Sequence, residues 1–199
     1  MQKVLKISNC LAGMEKAIEN GKRIFADATK LEYEKSPTGT FLYAIAIEEL
    51  SKAYNLGKTA IHLLEGDSVD WDLFWKNFRN HKLKQADLFR MILVGLNLLK
   101  KNFHRIQIKN PKLVSHYKDS NDVSMAIEEL TEEIRAIESG KLEKLKWQFL
   151  YIDYVDDNWK LPDNNINVGI FVSQNIKTYL VDLETMKSHI EKAIQEKMA

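Results

Sequence analysis

This chain offers few places at which a helix can stop. Its 199 residues include 8 glycines and 3 prolines, and these fall between stretches where apolar residues recur every three to four positions, the repeat of one helical face. Long helices joined by few loops are therefore predicted. The first is capped by Ser8 or Asn9 and runs to about residue 30, with Leu11, Met14, Ala17, Ile18 and Phe25 on one side. The second starts after "KSPTG" and ends near residue 64. Asp70 caps a third, which opens "WDLFWKNFRNHKLKQ" and continues unbroken to about residue 105. Within it, Gly95 marks either a bend or close helix contact, or a tolerated internal glycine. A fourth covers about residues 121–138, and after Gly140 "KLEKLKWQFLYIDY" resumes as a short helix. "VDDNWKLPDNN" reads as a loop, and "VGIFVS" leads into a last helix over about residues 173–196. The expected fold is all-α, a bundle of five or six helices forming one domain over residues 1–199.

Charge and cysteine content narrow the function classes. The 29 lysines and arginines nearly balance 28 aspartates and glutamates, so bulk charge favours neither a nucleic-acid nor a membrane surface, and any such activity needs a local patch. The single Cys10 excludes an intrachain disulfide and fits a reducing compartment, as an incidental packing residue. "MQKVLKISNC" lacks an apolar segment of signal-peptide length, and no apolar run approaches the roughly 20 residues that span a bilayer. A cytoplasmic protein without membrane attachment is expected.

The second helix raises a chemical question. At about 100° per residue, Leu42, Ala46, Leu50, Ala53, Leu56, Gly57, Ala60 and Leu64 share a broad face with Glu49, while Glu48 points away. A carboxylate on a core face needs a partner, because an unpaired buried charge is costly. The third helix offers one, since His81 falls in line with Phe74, Phe78, Leu88 and Ile92, and Arg79 projects almost opposite. Glu49 would orient one imidazole nitrogen of His81 and leave the other for proton transfer. Lys84, one turn from His81, and Lys52, three residues after Glu49, complete a polar cluster. Periodicity also allows, and by itself favours, a structural reading in which a buried Glu–His or Glu–Lys pair only fixes helix register.

Three segments carry a resemblance. "AIAIEELSKAYNLG" (44–57), "FWKNFRNHKLK" (74–84) and "FLYIDYVDDNWKLP" (149–162), in that order, resemble the abortive infection proteins of the AbiV family. The resemblance implies the HEPN superfamily: small helical bundles that often dimerise and commonly act as metal-independent ribonucleases in phage defence and toxin systems. The usual superfamily motif is an Arg, a polar residue and a His several positions on; here Arg79-Asn80 supplies the start and His81 follows directly. For RNA cleavage the expected roles are His81 as acid/base, Glu49 as its orienting partner and Arg79 or Lys84 as phosphate clamp. Lys52 and Asn80 are expected to contact substrate. Arg79 can serve the same site if a homodimer sets it beside His81 of the second copy. The implied role is an antiphage effector that degrades RNA or arrests translation at the ribosome, held quiet until a partner, plausibly phage-encoded, engages it. The alternative is a non-catalytic module that blocks translation or phage development by binding a protein or ribosomal partner.

Other features rank lower. His62 and His189 have no ligand-spaced cluster in the sequence, so no metal is expected, and no cofactor motif occurs. "LLKKNFHRIQIKNPKL" gathers Lys100, Lys101, His104, Arg105, Lys109 and Lys112 around Phe103, either an RNA-backbone patch or a solvated helix end. "QFLYIDYVDDNWKLP" combines aromatic and acidic residues and suits packing on the bundle or a protein-recognition surface.

Overall fold

The computed structural model describes residues 4–33, 36–109, 115, 117–141, 153–155, 158–160 and 166–198. Six helices and one short hairpin follow in order: α1 (Ile7–Tyr33), α2 (Pro37–Glu65), α3 (Trp71–Arg79), α4 (His81–Lys109), α5 (Ser120–Glu138), β1 (Asp153–Val155), β2 (Asn158–Lys160) and α6 (Ile166–Met198). The fold is all-α. Among the described residues, no helix is long and apolar enough to cross a membrane.

α1 opens at Ile7, ahead of both residues expected to cap it. It buries Cys10, Met14, Ala17, Ile18, Gly21, Ile24 and Ala28, one stripe at three- and four-residue spacing. That stripe lies along α2, which Pro37 starts at its first turn, where a missing N–H costs nothing. α2 stops at Gly66, whose φ of +87° is the left-handed C-cap conformation that glycine adopts without strain. The Gly66 and Asp67 N–H groups close the cap on the Leu63 and His62 carbonyls. α2 is the central helix, packed by α1, α4 and α6. It therefore buries residues on most of its circumference, including Tyr43, Ile47, Leu50, Ala53 and Leu56.

The helix expected from Asp70 to about residue 105 is two helices. Asp70 does cap α3, its side chain accepting from Leu73 N–H at 2.9 Å. Asn80, however, adopts an extended backbone with ψ of 110°, and its Oδ1 accepts from Leu83 N–H at 3.2 Å. An asparagine side chain competes for backbone donors in this way, so it ends one helix and caps the next without any glycine or proline. α4 passes through Gly95 as a helix, and a Cβ placed there would meet nothing within 4 Å. α5 begins beneath Asp119, which accepts from Asn121 and Asp122 N–H groups, and ends before Gly140 at φ +98°.

Two further expectations are corrected. The end of the segment read as a short helix and part of the one read as a loop pair as an antiparallel hairpin, with Asp153 opposite Lys160 and Tyr154 opposite Trp159. Strands of three residues are too short to show a period of two in the sequence. α6 starts at Ile166, so "VGIFVS" belongs to the helix and precedes the buried Ile176, Tyr179, Leu183 and Ile190. Of the short helix expected in "KLEKLKWQFLYIDY", Asp153 and Tyr154 are strand and most of the remainder lies outside the described residues.

Cys10 is buried in the main core, and burial pushes its thiol up to about 11. The thiol therefore stays protonated at pH 8, and only the thiolate attacks a disulfide reagent. Native protein mixed with Ellman's reagent at pH 8 should react no faster than it unfolds; prompt release of one equivalent would contradict the packing assigned to Cys10.

Candidate functional site at the α3–α4 junction

Along α2, the residues Glu48, Ser51, Asn55 and Thr59 form one polar stripe at spacings of three and four. The stripe meets α4. Glu48 is buried, its side chain 6 % exposed, and both carboxylate oxygens are engaged. His81 Nδ1 donates to Oε2 at 2.6 Å, and Gln85 Nε2 donates to Oε1 at 2.7 Å. The two donors stand one turn apart on α4, so both reach the same acceptor. Lower on the stripe, Asn55 donates to Asp87 at 3.2 Å. Arg90 binds both Asp87 and Glu138, tying α5 to the same seam.

The carboxylate partner of His81 is thus Glu48 and not Glu49. Glu49 is half-buried and pairs with Lys52 within its own helix. The helical wheel misled because it assumed one buried face, whereas three neighbours bury α2 from several sides and the polar stripe faces α4. His81 also departs from expectation. It is the first residue of α4 and its side chain is 61 % exposed, outside the apolar stripe, because the helix break at Asn80 resets the rotation between Phe78 and His81. Exposed imidazole on buried carboxylate leaves Nε2 as the ring nitrogen able to meet a ligand from solvent.

The remaining expected site residues are distributed as follows. Arg79 ends α3 and is exposed, two residues from His81 across the break. Asn80 spends its side chain capping α4. Lys84 is 3 % exposed, which leaves Arg79 as the solvent-facing cation of the two. Lys82 lies over Gly140, where a Cβ would come within 3.1 Å of its Cε and Nζ. The site thereby sits beside the turn that follows α5.

A family model described as AbiV, of the HEPN type, matches residues 9–178. The chain belongs to the AbiV family. The match takes in all of α2, α3, α4 and α5, and with them Glu48, His81 and Gln85. It places the chain among the abortive-infection proteins of the HEPN type. No curated protein and no solved structure gives a significant match.

The sequence of this AbiV chain assigned no role to Gln85 and set Glu48 away from the core face; the available signal was the stripe of Glu48, Ser51, Asn55 and Thr59, polar residues at helical spacing along α2. The expectation that His62 has no ligand-spaced neighbours is corrected. His62, Glu65 and Asp67 bring one ligand atom each within 4.8 Å of one another, because the Gly66 cap folds Asp67 back to His62 Nδ1 at 2.9 Å. His62 is half-buried, Glu65 and Asp67 are exposed, and the contact among them is that of His62 with Asp67 at the helix end. In the expected basic patch, Phe103 is buried while Lys100, Lys101, His104, Arg105 and Lys109 are exposed, so Phe103 is not available to stack on a base there. Lys112 lies outside the described residues.

Proposed function

We propose that this AbiV protein is an antiphage effector that cleaves RNA without a metal, using His81 held by Glu48. The observation that carries the reading is a solvent-facing imidazole bonded at 2.6 Å to a buried carboxylate. An ionised carboxylate can only accept, so Nδ1 carries the proton and Nε2 is unprotonated when the ring is neutral. Nε2 takes the proton from a ribose 2′-hydroxyl as its oxygen attacks the adjacent phosphorus. The bond from phosphorus to the 5′ oxygen then breaks, and that oxygen takes the proton back from the imidazolium. The products are a 2′,3′-cyclic phosphate and a free 5′-hydroxyl. Glu48 balances the imidazolium formed midway, and Arg79 faces the phosphate as a fork of donors. A second copy that brings its own Arg79 to this cleft would complete a homodimeric site.

Control by a phage-encoded partner follows from the role, since a cell expressing an active nuclease would not survive to be infected. The second reading, a non-catalytic module that binds a ribosomal or phage protein, draws on the closeness of Arg79 to His81. Only Asn80 separates them, which departs from the superfamily spacing.

Total cellular RNA, incubated with purified protein with and without lysate from infected cells, separates the two. Wild type should yield infection-dependent fragments ending in cyclic phosphate. His81→Ala should yield none while remaining folded at the assay temperature, its Tm lowered by several degrees because buried Glu48 loses a charge-assisted donor. Equal cleavage by both proteins removes His81 from the reaction. Blocked translation without fragments favours the binding module.

A further inference from the structure

We propose that His62, Glu65 and Asp67 form a binding site for a divalent transition-metal ion, zinc foremost, at the C-terminal end of α2. The site takes no part in the acid–base chemistry at His81 and stands whether or not the chain cleaves RNA.

The local sequence brings the three ligands together. Glu65 follows His62 by three residues, so both side chains leave the same face of the last turn of α2. Gly66, with φ of 87° and ψ of 13°, then turns the chain back. The Asp67 N–H donates to the His62 carbonyl at 2.9 Å, and Asp67 Oδ2 comes to rest 2.9 Å from His62 Nδ1. One ligand atom from each of the three residues therefore lies within 4.8 Å of the other two. At a tetrahedral zinc, ligands bonded at about 2.0–2.1 Å stand roughly 3.3–3.4 Å apart. The Nδ1–Oδ2 pair need open only slightly to become two ligands. Exposed Glu65 swings in as the third, and water completes the set.

Charge is what calls for a cation. Two carboxylates stand against one imidazole, and Glu65 has no ion-pair partner among the described residues. The C-terminal end of α2 adds to the negative potential, as helix C-termini do. The fold already answers it once, with Lys197 donating to the Leu64 carbonyl. Lys58, exposed and one turn before His62, opposes a cation but is outnumbered by the two carboxylates. His62 and Asp67 also line a cavity of about 490 Å³ with Phe74 and Asn77 of α3, which gives an ion and its waters access. The imidazole selects among cations, because nitrogen ligands suit zinc, copper and nickel, whereas calcium and magnesium take oxygen. Bound here, the ion ties the end of α2 to the turn that leads, three residues on, to Asp70, the cap of α3.

Zinc titration of the full-length protein, first stripped with EDTA, tests the site. Wild type should bind one equivalent, with the His62 ring signals shifting in nitrogen-15 spectra and Tm rising by several degrees at zinc well above Kd. Magnesium in about hundredfold excess should leave the zinc in place. His62→Ala and Asp67→Asn should each weaken zinc binding at least about tenfold and remove the rise in Tm. In EDTA both should melt close to wild type, because the two side chains they alter are about half-exposed. Asp67→Asn keeps an acceptor for the ring, so it carries the test should His62→Ala fail to fold. His104→Ala, exposed on α4 and outside the cluster, is the control and should bind as wild type does. No zinc bound by wild type, or binding unchanged in folded His62→Ala or Asp67→Asn, overturns the proposal. Displacement by magnesium, or an equal loss in His104→Ala, overturns it too.

Discussion

Replacement of Glu48 by alanine is expected to destabilise the protein by about 3 kcal/mol, because it removes two charge-assisted hydrogen bonds from the buried seam between α2 and α4. For a chain of this size that corresponds to a fall in Tm of about 6–12 °C. Glu49→Ala is the matched control. It removes a half-buried pair with Lys52 inside one helix, a contact of the kind worth about 1 kcal/mol or less. Urea unfolding of the two variants side by side checks the assignment. Equal losses, or a larger loss for Glu49→Ala, would mean that the seam between α2 and α4 is not organised around Glu48.

The second large effect concerns how closely α1 approaches α2. A Cβ built on Gly21 would lie 2.6 Å from Leu50 Cδ2 and 2.9 Å from its Cγ. Leu50 is fully buried and has nowhere to retreat. Gly21→Val should therefore cost about 2–3 kcal/mol through overpacking, even after the usual gain from removing a helical glycine. Gly95 makes the opposite case, an internal helical glycine with open space around its α-carbon. Gly95→Ala should stabilise by about 0.5–1 kcal/mol. Thermal melts of the pair should move in opposite directions; a neutral Gly21→Val would show that the two helices do not meet at this distance.

What the sequence disclosed follows from which interactions are local. Helix content was legible because glycine and proline are scarce and the apolar spacing is regular, both read from neighbouring residues. The stop after Arg79 was hidden, because it depends on one asparagine exchanging helix continuation for a side-chain cap, and Asn80 looks no different from a surface residue within a long helix. Telling Glu48 from Glu49 was harder. Adjacent carboxylates lie about 100° apart on the wheel, and which one is buried depends on how many helices surround α2, a fact of tertiary packing. His81 was identified as the chemically important residue, yet its exposure reverses the expectation drawn from the apolar stripe. Gln85 carried no signal of its own; it matters only because it stands one turn from His81 over a buried acceptor.

The association of Glu48 with His81 also bears on how the site is connected to the rest of the bundle. The same α2 stripe continues to Asn55 and Asp87, then through Arg90 to Glu138 at the end of α5. Lys82, next to His81, lies over the Gly140 turn that follows. These contacts join the first turn of α4 to the end of α5 by packing and ion pairs.

The most direct test of the account is RNA cleavage by Glu48→Gln and Glu49→Gln, measured under the conditions in which wild type is active. Glutamine in place of Glu48 preserves shape but removes the charge that holds the Nδ1 proton, so cleavage should fall at least a hundredfold, while Glu49→Gln should cleave as wild type does. Loss of activity in Glu49→Gln with Glu48→Gln unaffected would contradict the account.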